Sequence, residues 1–220
     1  MGIAADDLTL DQLAVALAPA IADAAVFDGW TPLAVRAAAE MEGVDPDVAM
    51  LAFPGGAMDM IAAWIASIDA AMAQALPATA LENMGVGQRI RAMLVFRLEA
   101  LAPRHEAFRR AMAIMAMPQN VKRSAKTGWR SADLMWHMAG DTAADFNHYS
   151  KRAILSSVYA STLAVFSQDE SEGFADTYAF LDRRLKDVAG FGKFTARFKR
   201  DDAERFSPMR LLGRLRYPAR

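Results

Sequence analysis

The chain contains no cysteine. That removes disulfides, thiolate nucleophiles, iron–sulfur clusters and Cys-ligated zinc together. Histidine is scarce, with three copies, so a histidine-rich metal centre is not expected either. No Glu-x-x-His pair of the di-iron type occurs, and no Gly-x-Ser-x-Gly elbow is present to activate a serine. Gly85-Val86-Gly87 is too short for a phosphate loop and follows no strand-like segment. No active-site constellation results, so neither catalysis nor a cofactor is expected. The chain also lacks a run of about 18 uncharged apolar residues, the length a bilayer-spanning helix requires. Residues 1–7 hold Asp6 and Asp7 but no Lys or Arg, unlike a secretory or transit signal. Asp6 also breaks the pattern that would make Gly2 a myristoylation site. The expectation is a cytoplasmic protein.

What the chain has is helical composition. Apolar residues make up 54% of its 220 positions, ample for a core, and alternating β-branched residues are nearly absent. Thr9-Leu10-Asp11-Gln12 reads as a capping box, followed by Leu13, Leu17, Ile21 and Ala24 on one face. Thr31-Pro32 and Asp45-Pro46 each open a short helix, stopped by Gly43 and by Phe53-Pro54-Gly55-Gly56. A long apolar helix, 58–75, follows. Beyond Pro77 five more are predicted: 86–101, 104–117, 120–139 with a break near Gly128, 143–167 and 174–188. The fold class is all-α. Three short helices before a longer helical body resemble the TetR-type repressor fold, with Ala34–Phe53 as the helix-turn-helix. The expected division is a head at 1–56, a helical dimerisation and ligand domain at 57–190, and a tail at 191–220.

The net charge of −1 conceals a gradient. Residues 1–60 hold ten acids and one base, Arg36, whereas 191–220 hold nine bases and three acids. A groove-reading helix needs donors for base edges and cations for phosphates. From Val44 to Met60 there is no Lys, Arg, Asn, Gln, Ser, Thr, Tyr or His, but there are Asp45, Asp47 and Asp59. The head is therefore expected to keep the fold without binding nucleic acid.

The segment from Met115 to Leu185 carries a series of motifs: Met-Ala-Met-Pro-Gln-Asn at 115–120, Met-Trp-His-Met-Ala-Gly-Asp at 135–141, Ala-Asp-Phe-Asn-His-Tyr-Ser-Lys-Arg-Ala-Ile-Leu at 144–155, Ser-Gln-Asp at 167–169 and Tyr-Ala-Phe-Leu-Asp-Arg-Arg-Leu at 178–185. In order and spacing they resemble the ninth Coq protein, the lipid-binding accessory protein of ubiquinone biosynthesis, in a bacterial form. The resemblance implies a TetR-like homodimer without catalytic activity, holding an isoprenoid quinone or its precursor lipid. It further implies an amphipathic helix on the membrane and delivery of the lipid to the di-iron demethoxyubiquinone hydroxylase. The partner-facing patch it implies falls on Asp145, Asn147, His148, Tyr149 and Arg152. The resemblance departs at His148, where eukaryotic members carry Trp. Other readings stay open at the same positions: Thr142-Ala-Ala-Asp145 is also a capping box, and Arg152 and its neighbours can be ordinary surface groups.

An isoprenoid tail needs an adaptable apolar lining. Met112, Met115, Leu134, Met135, Met138, Leu155, Val158 and Phe166 are the candidates, beside small residues Ser156, Ser157, Ala160 and Ser161 that leave room next to a helix. Core packing is the competing role for each. In the tail, Phe191, Phe194 and Phe198 share a helical face flanked by cations. After Ser207-Pro208, Met209, Leu211, Leu212 and Leu215 share another. That is the pattern of an interfacial helix on an anionic membrane surface, here peripheral to the inner membrane; docking as a core helix is the alternative. The alternative for the whole chain is a TetR-family ligand-responsive transcriptional regulator.

Overall fold

The helix signals are short-range, and most act where the sequence places them. The computed structural model describes residues 7–141 and 146–204, without the side chains of 146, 147 and 190–204. Helix α1 (Leu10–Asp28) opens on the expected box: Thr9 Oγ1 accepts from Gln12 N at 3.3 Å, and Gln12 Oε1 accepts from Thr9 N at 2.9 Å. Leu13, Leu17 and Ile21 are buried. Among the described residues, α1 is the helix whose length and mean hydropathy of 1.5 would suffice to cross a membrane. Here it packs against α2 (Pro32–Glu42) and α4 (Ala57–Ala75).

Thr31 does not cap α2 through its side chain; its hydroxyl donates to Asp28 O at 3.2 Å instead. Gly43 ends α2 at φ 74°, a left-handed conformation that glycine adopts without steric cost. Asp45 caps α3 (Pro46–Leu51), accepting from Asp47 N at 2.8 Å.

The head is fastened to the body by specific bonds. Trp30 stacks on Trp64 at 5.3 Å and donates its indole N–H to Ala107 O at 2.9 Å. Arg104 grips Asp23 with two bonds of 2.6 and 2.7 Å. Arg110 donates to Phe27 O at 3.1 Å, placing a cation at the carbonyl end of α1.

A short α5 (Ala78–Leu81), not expected from the sequence, precedes α6 (Val86–Leu101) and α7 (His105–Met115). Helix α8 (Val121–Met138) runs unbroken through Gly128, correcting the expected interruption. One helix-interior glycine costs only about 1 kcal/mol, which the packing of this long helix outweighs. Helix α9 (Phe146–Phe166) pairs with α8, and α10 (Ala175–Glu204) packs on α9 and α6. Helix α10 continues well past the expected end at Val188.

Candidate functional site: a cavity between five helices

Helices α4, α6, α7, α8 and α9 do not close completely on one another. Between them lies a cavity of about 550 Å³, within the size range of small-molecule sites. One wall is the inner face of α4, with Ile61, Trp64, Ile65 and Ile68. Helix α7 adds Phe108, Met112 and Met115. Helix α8 contributes Ser124, Ala125, Gly128 and Trp129, and α9 contributes Ala153, Ser156, Ala160 and Leu163. The space exists because the facing residues of α8 and α9 are small. At Gly128 an added Cβ would meet nothing within 4 Å. Val121, Ala125, Ala153 and Ala160 are solvent-exposed, so the cavity opens between α8 and α9.

Two of the eight candidate lining residues, Met112 and Met115, line this cavity. The other six lie outside this lining and pack elsewhere. Leu155, Val158 and Phe166 are buried. Leu155 stands about 200° around α9 from Ala153 at 100° per residue, so that set faces the core while 153, 156, 160 and 163 face the cavity. Phe166 packs instead against His105, Phe108 and Phe174, with ring centroids 4.9, 5.2 and 4.6 Å away. Leu134, Met135 and Met138 lie on α8 beyond its last lining residue, Ser131; Met135 is fully buried and the other two half-buried against the core. The α4 wall was missed because its residues read as plain core. The small-residue face of α8, Ser124, Ala125 and Gly128, carried the signal that could have located the opening.

The cavity has one polar wall. Arg97 is 1% exposed, and each guanidinium nitrogen has a partner. Nε donates to the Tyr159 hydroxyl at 2.9 Å, Nη1 to Asp69, and Nη2 to Ser131 Oγ at 3.3 Å. Ser131 Oγ in turn donates to Asp69 at 2.9 Å. Burial opposes the Arg97 charge, but Tyr159 and Asp69 outweigh it and hold the guanidinium pKa above its ordinary value. The buried charge is thus balanced within the wall. Ser156 Oγ is also buried, and it has no hydrogen-bond partner among the described residues.

The expected partner patch resolves unevenly. Asp145 lies outside the described residues, as does the side chain of Asn147. Tyr149 is 62% exposed, and its ring lies 5.1 Å from the half-buried His148 and 6.4 Å from Trp129. Because Trp129 lines the cavity, this aromatic cluster joins the exposed surface to the cavity rim. Arg152 corrects the expectation, in both its partner-facing and its plain-surface form, since it is 0% exposed. It donates to Asp133, to Asp141 at 3.1 Å and to His148 O at 3.1 Å. Burial disfavours its charge, but the bonds to Asp133 and Asp141 more than compensate and raise its pKa. A guanidinium of this kind holds α9 to the end of α8.

Other motif residues are structural as well. Asp141 also receives Lys151 at 2.6 Å, and Trp136 Nε1 donates to Lys151 O at 2.9 Å. Asp182 pairs with Arg91 through bonds of 2.7 and 3.2 Å, tying α10 to α6. Asp169 accepts four hydrogen bonds, from the backbone N–H and hydroxyl groups of Ser171 and Thr177, at 2.5–2.9 Å. Burial works against its charge, yet these donors hold its pKa down at about 2. Asp169 therefore fixes the turn into α10.

The candidate membrane residues Phe191, Phe194 and Phe198 fall within α10, and Met209, Leu211, Leu212 and Leu215 lie after it; these side chains are outside the described residues. On the head, α3 exposes Asp45, Asp47, Val48 and Leu51, and the Arg36 guanidinium is engaged by Asp47 at 3.2 Å.

The COQ9 family model matches residues 121–192, which include all of α8 and α9. The chain is similar to the rat "Ubiquinone biosynthesis protein COQ9, mitochondrial", 32% identical over 171 residues, 74% of this chain and 54% of the rat protein. The human protein of the same name is 38% identical over 111 residues, 50% of this chain and 35% of the human one. The chain thus spans about half the length, or less, of these curated relatives. In fold it is similar to a TetR transcriptional regulator from Nitrosomonas europaea, with a TM-score of 0.60 and 21% identity, covering 79% of this chain and 98% of that one. The all-α, TetR-like architecture expected from the order of helices is therefore the observed one.

Proposed function

The chain carries a COQ9 domain at residues 121–192, and on that premise we propose that it is an accessory protein of ubiquinone biosynthesis that holds an isoprenoid quinone intermediate in the cavity between α4, α6, α7, α8 and α9. The observation that carries the reading is the cavity itself. It is walled by Ile, Leu, Met, Phe and Trp side chains and is held open by Gly128, Ala153, Ser156 and Ala160 at an exposed rim. Apolar burial at about 25 cal/mol per Å² supplies the affinity for a lipid chain. In this reading the chain's own residues bind and shield the lipid.

The exposed aromatic surface at Tyr149, contiguous with Trp129 on the rim, is the place from which such a ligand is handed on. The receiving enzyme in this reading is the di-iron demethoxyubiquinone hydroxylase. The basic, Phe-bearing segment 191–220 holds the protein at an anionic membrane, and a second copy completes a homodimer. The regulator reading is disfavoured by the acidic exposed face of α3, where Asp45 and Asp47 would meet phosphates.

The test uses two tryptophans already in place. Trp64 and Trp129 line the cavity, and a quinone ring quenches indole fluorescence on contact. Titration with a short-chain isoprenoid quinone should give saturable quenching that is lost on filling the cavity with Gly128→Leu. Quenching that persists unchanged in that variant would place the ligand elsewhere.

A further inference from the structure

The polar wall of the cavity bears on which lipids it accepts; this inference rests on the lipid-binding reading and sharpens it. The charged members of the wall are satisfied by one another. All three Arg97 nitrogens are paired, and Asp69 is met by Arg97 and Ser131. What remains is neutral hydrogen-bonding capacity on α9. Tyr159 accepts from Arg97 Nε, which leaves its own hydroxyl proton without an acceptor among the described residues. Ser156 Oγ is buried and has no partner among the described residues. Serine in a helix ordinarily returns its hydroxyl to a backbone carbonyl of the preceding turn, as Thr162 does here to Val158 O at 2.8 Å. Ser156 does not. The two residues stand one turn apart on α9, a spacing that brings side chains within about 5–6 Å of each other, and both line the cavity.

A hydroxyl that lines an apolar cavity without a protein partner can donate to a ligand that enters it. We propose that Ser156 and Tyr159 form a head-group subsite that donates hydrogen bonds to one or two neighbouring oxygens of a neutral ring, with the attached apolar chain lying along the α4 and α7 walls. An Arg97–Tyr159 bond polarises the tyrosine hydroxyl and makes it a better donor. The same wall selects against a fatty-acid carboxylate or a phosphodiester, because no unpaired cation is available to receive the charge.

The discriminating variant is Ser156→Ala, which removes a group that holds no partner and so leaves nothing newly orphaned. Tyr159→Phe strips an acceptor from buried Arg97 and serves only as a supporting variant. Binding of three probes by the full chain is measured: a decyl-substituted benzoquinone, squalene as a ring-free hydrocarbon, and oleate as an anion. Melting of the ligand-free proteins is recorded alongside.

Wild type should bind the quinone in preference to oleate. Ser156→Ala should weaken the quinone about tenfold, the effect of one hydrogen bond, leave squalene unchanged, and melt at or above the wild-type temperature. Equal quinone affinity in wild type and Ser156→Ala overturns the subsite while the lipid cavity stands. So does a matching loss of quinone and squalene. Tighter binding of oleate than of quinone overturns the preference for a neutral head. If wild type binds neither quinone nor squalene, the lipid-binding reading falls first and takes the subsite with it.

Discussion

Replacing Arg152 with Ala separates a surface contact from an internal tie. The guanidinium is completely buried, and its loss removes one donor each from Asp133, Asp141 and His148 O. Asp141 keeps Lys151, but its side chain is only 6% exposed, so water cannot replace the missing bond. Removing one partner of a buried ionic network costs about 3–5 kcal/mol. For a chain of this size that lowers Tm by roughly 6–20 °C. Tyr149→Ala is the control on the neighbouring turn. At 62% exposure its truncation should cost less than about 1 kcal/mol of stability. The assay is thermal and urea unfolding of both variants, paired with affinity for the hydroxylase. The expected result is a large melting loss for Arg152→Ala, and for Tyr149→Ala an unchanged melt with a partner affinity lowered by about tenfold or more. An Arg152→Ala protein that melts within a degree or two of wild type would refute the structural assignment. So would rescue of partner binding without rescue of stability by Arg152→Lys.

Three further outcomes follow from the same contacts. Asp169→Asn replaces an acceptor of four hydrogen bonds and should cost about 2–4 kcal/mol near neutral pH. Because the wild-type carboxylate has its pKa lowered to about 2, its contribution is complete above the unfolded-state pKa near 4 and disappears as pH falls through about 2. A shift of that size is worth about 2 kcal/mol, of which about half is gone at pH 3, so the gap between wild type and variant should narrow there in urea unfolding curves; a constant gap would contradict the assignment. Gly128→Leu should raise Tm slightly, since glycine costs about 1 kcal/mol in a helix interior and an added Cβ meets nothing within 4 Å; a large loss of stability would mean that the space beside α8 is not there. Deleting 191–220 removes Phe191, Phe194, Phe198 and nine cations; sedimentation with anionic liposomes should fall sharply while the helical circular dichroism of the body persists, and unchanged sedimentation would refute the membrane role of that segment.

Helix starts and stops were legible because they are local. The Thr9 box, the Asp45 cap and Gly43 each act within a few residues, and the structure bears them out. Gly128 misled because a break inside a helix is decided by the packing of neighbours, not by one residue. Site residues were legible only where they shared a wall with the helix they were read from. Met112 and Met115 face the cavity with α7, but Leu155, Val158 and Phe166 sit on the wrong side of α9. A one-residue change in helical register moves a side chain by about 100°, and composition alone does not set that register when both faces of a helix are apolar. Arg152 was misplaced for a related reason. A buried arginine is recognisable only once its carboxylates are in view, and Asp133 and Asp141 belong to a different helix and a turn. The α4 wall and the Arg97 cluster required long-range contacts that no pattern along the chain encodes.

The central claim is that the cavity between α4, α6, α7, α8 and α9 holds an isoprenoid quinone intermediate. Mass spectrometry of lipid extracted from the full chain, purified from cells that make ubiquinone and compared with Gly128→Leu prepared in the same way, tests it directly. The account predicts a polyprenylated ring compound bound to wild type and depleted in the variant; phospholipid alone, or the same lipid at equal occupancy in both proteins, would contradict it.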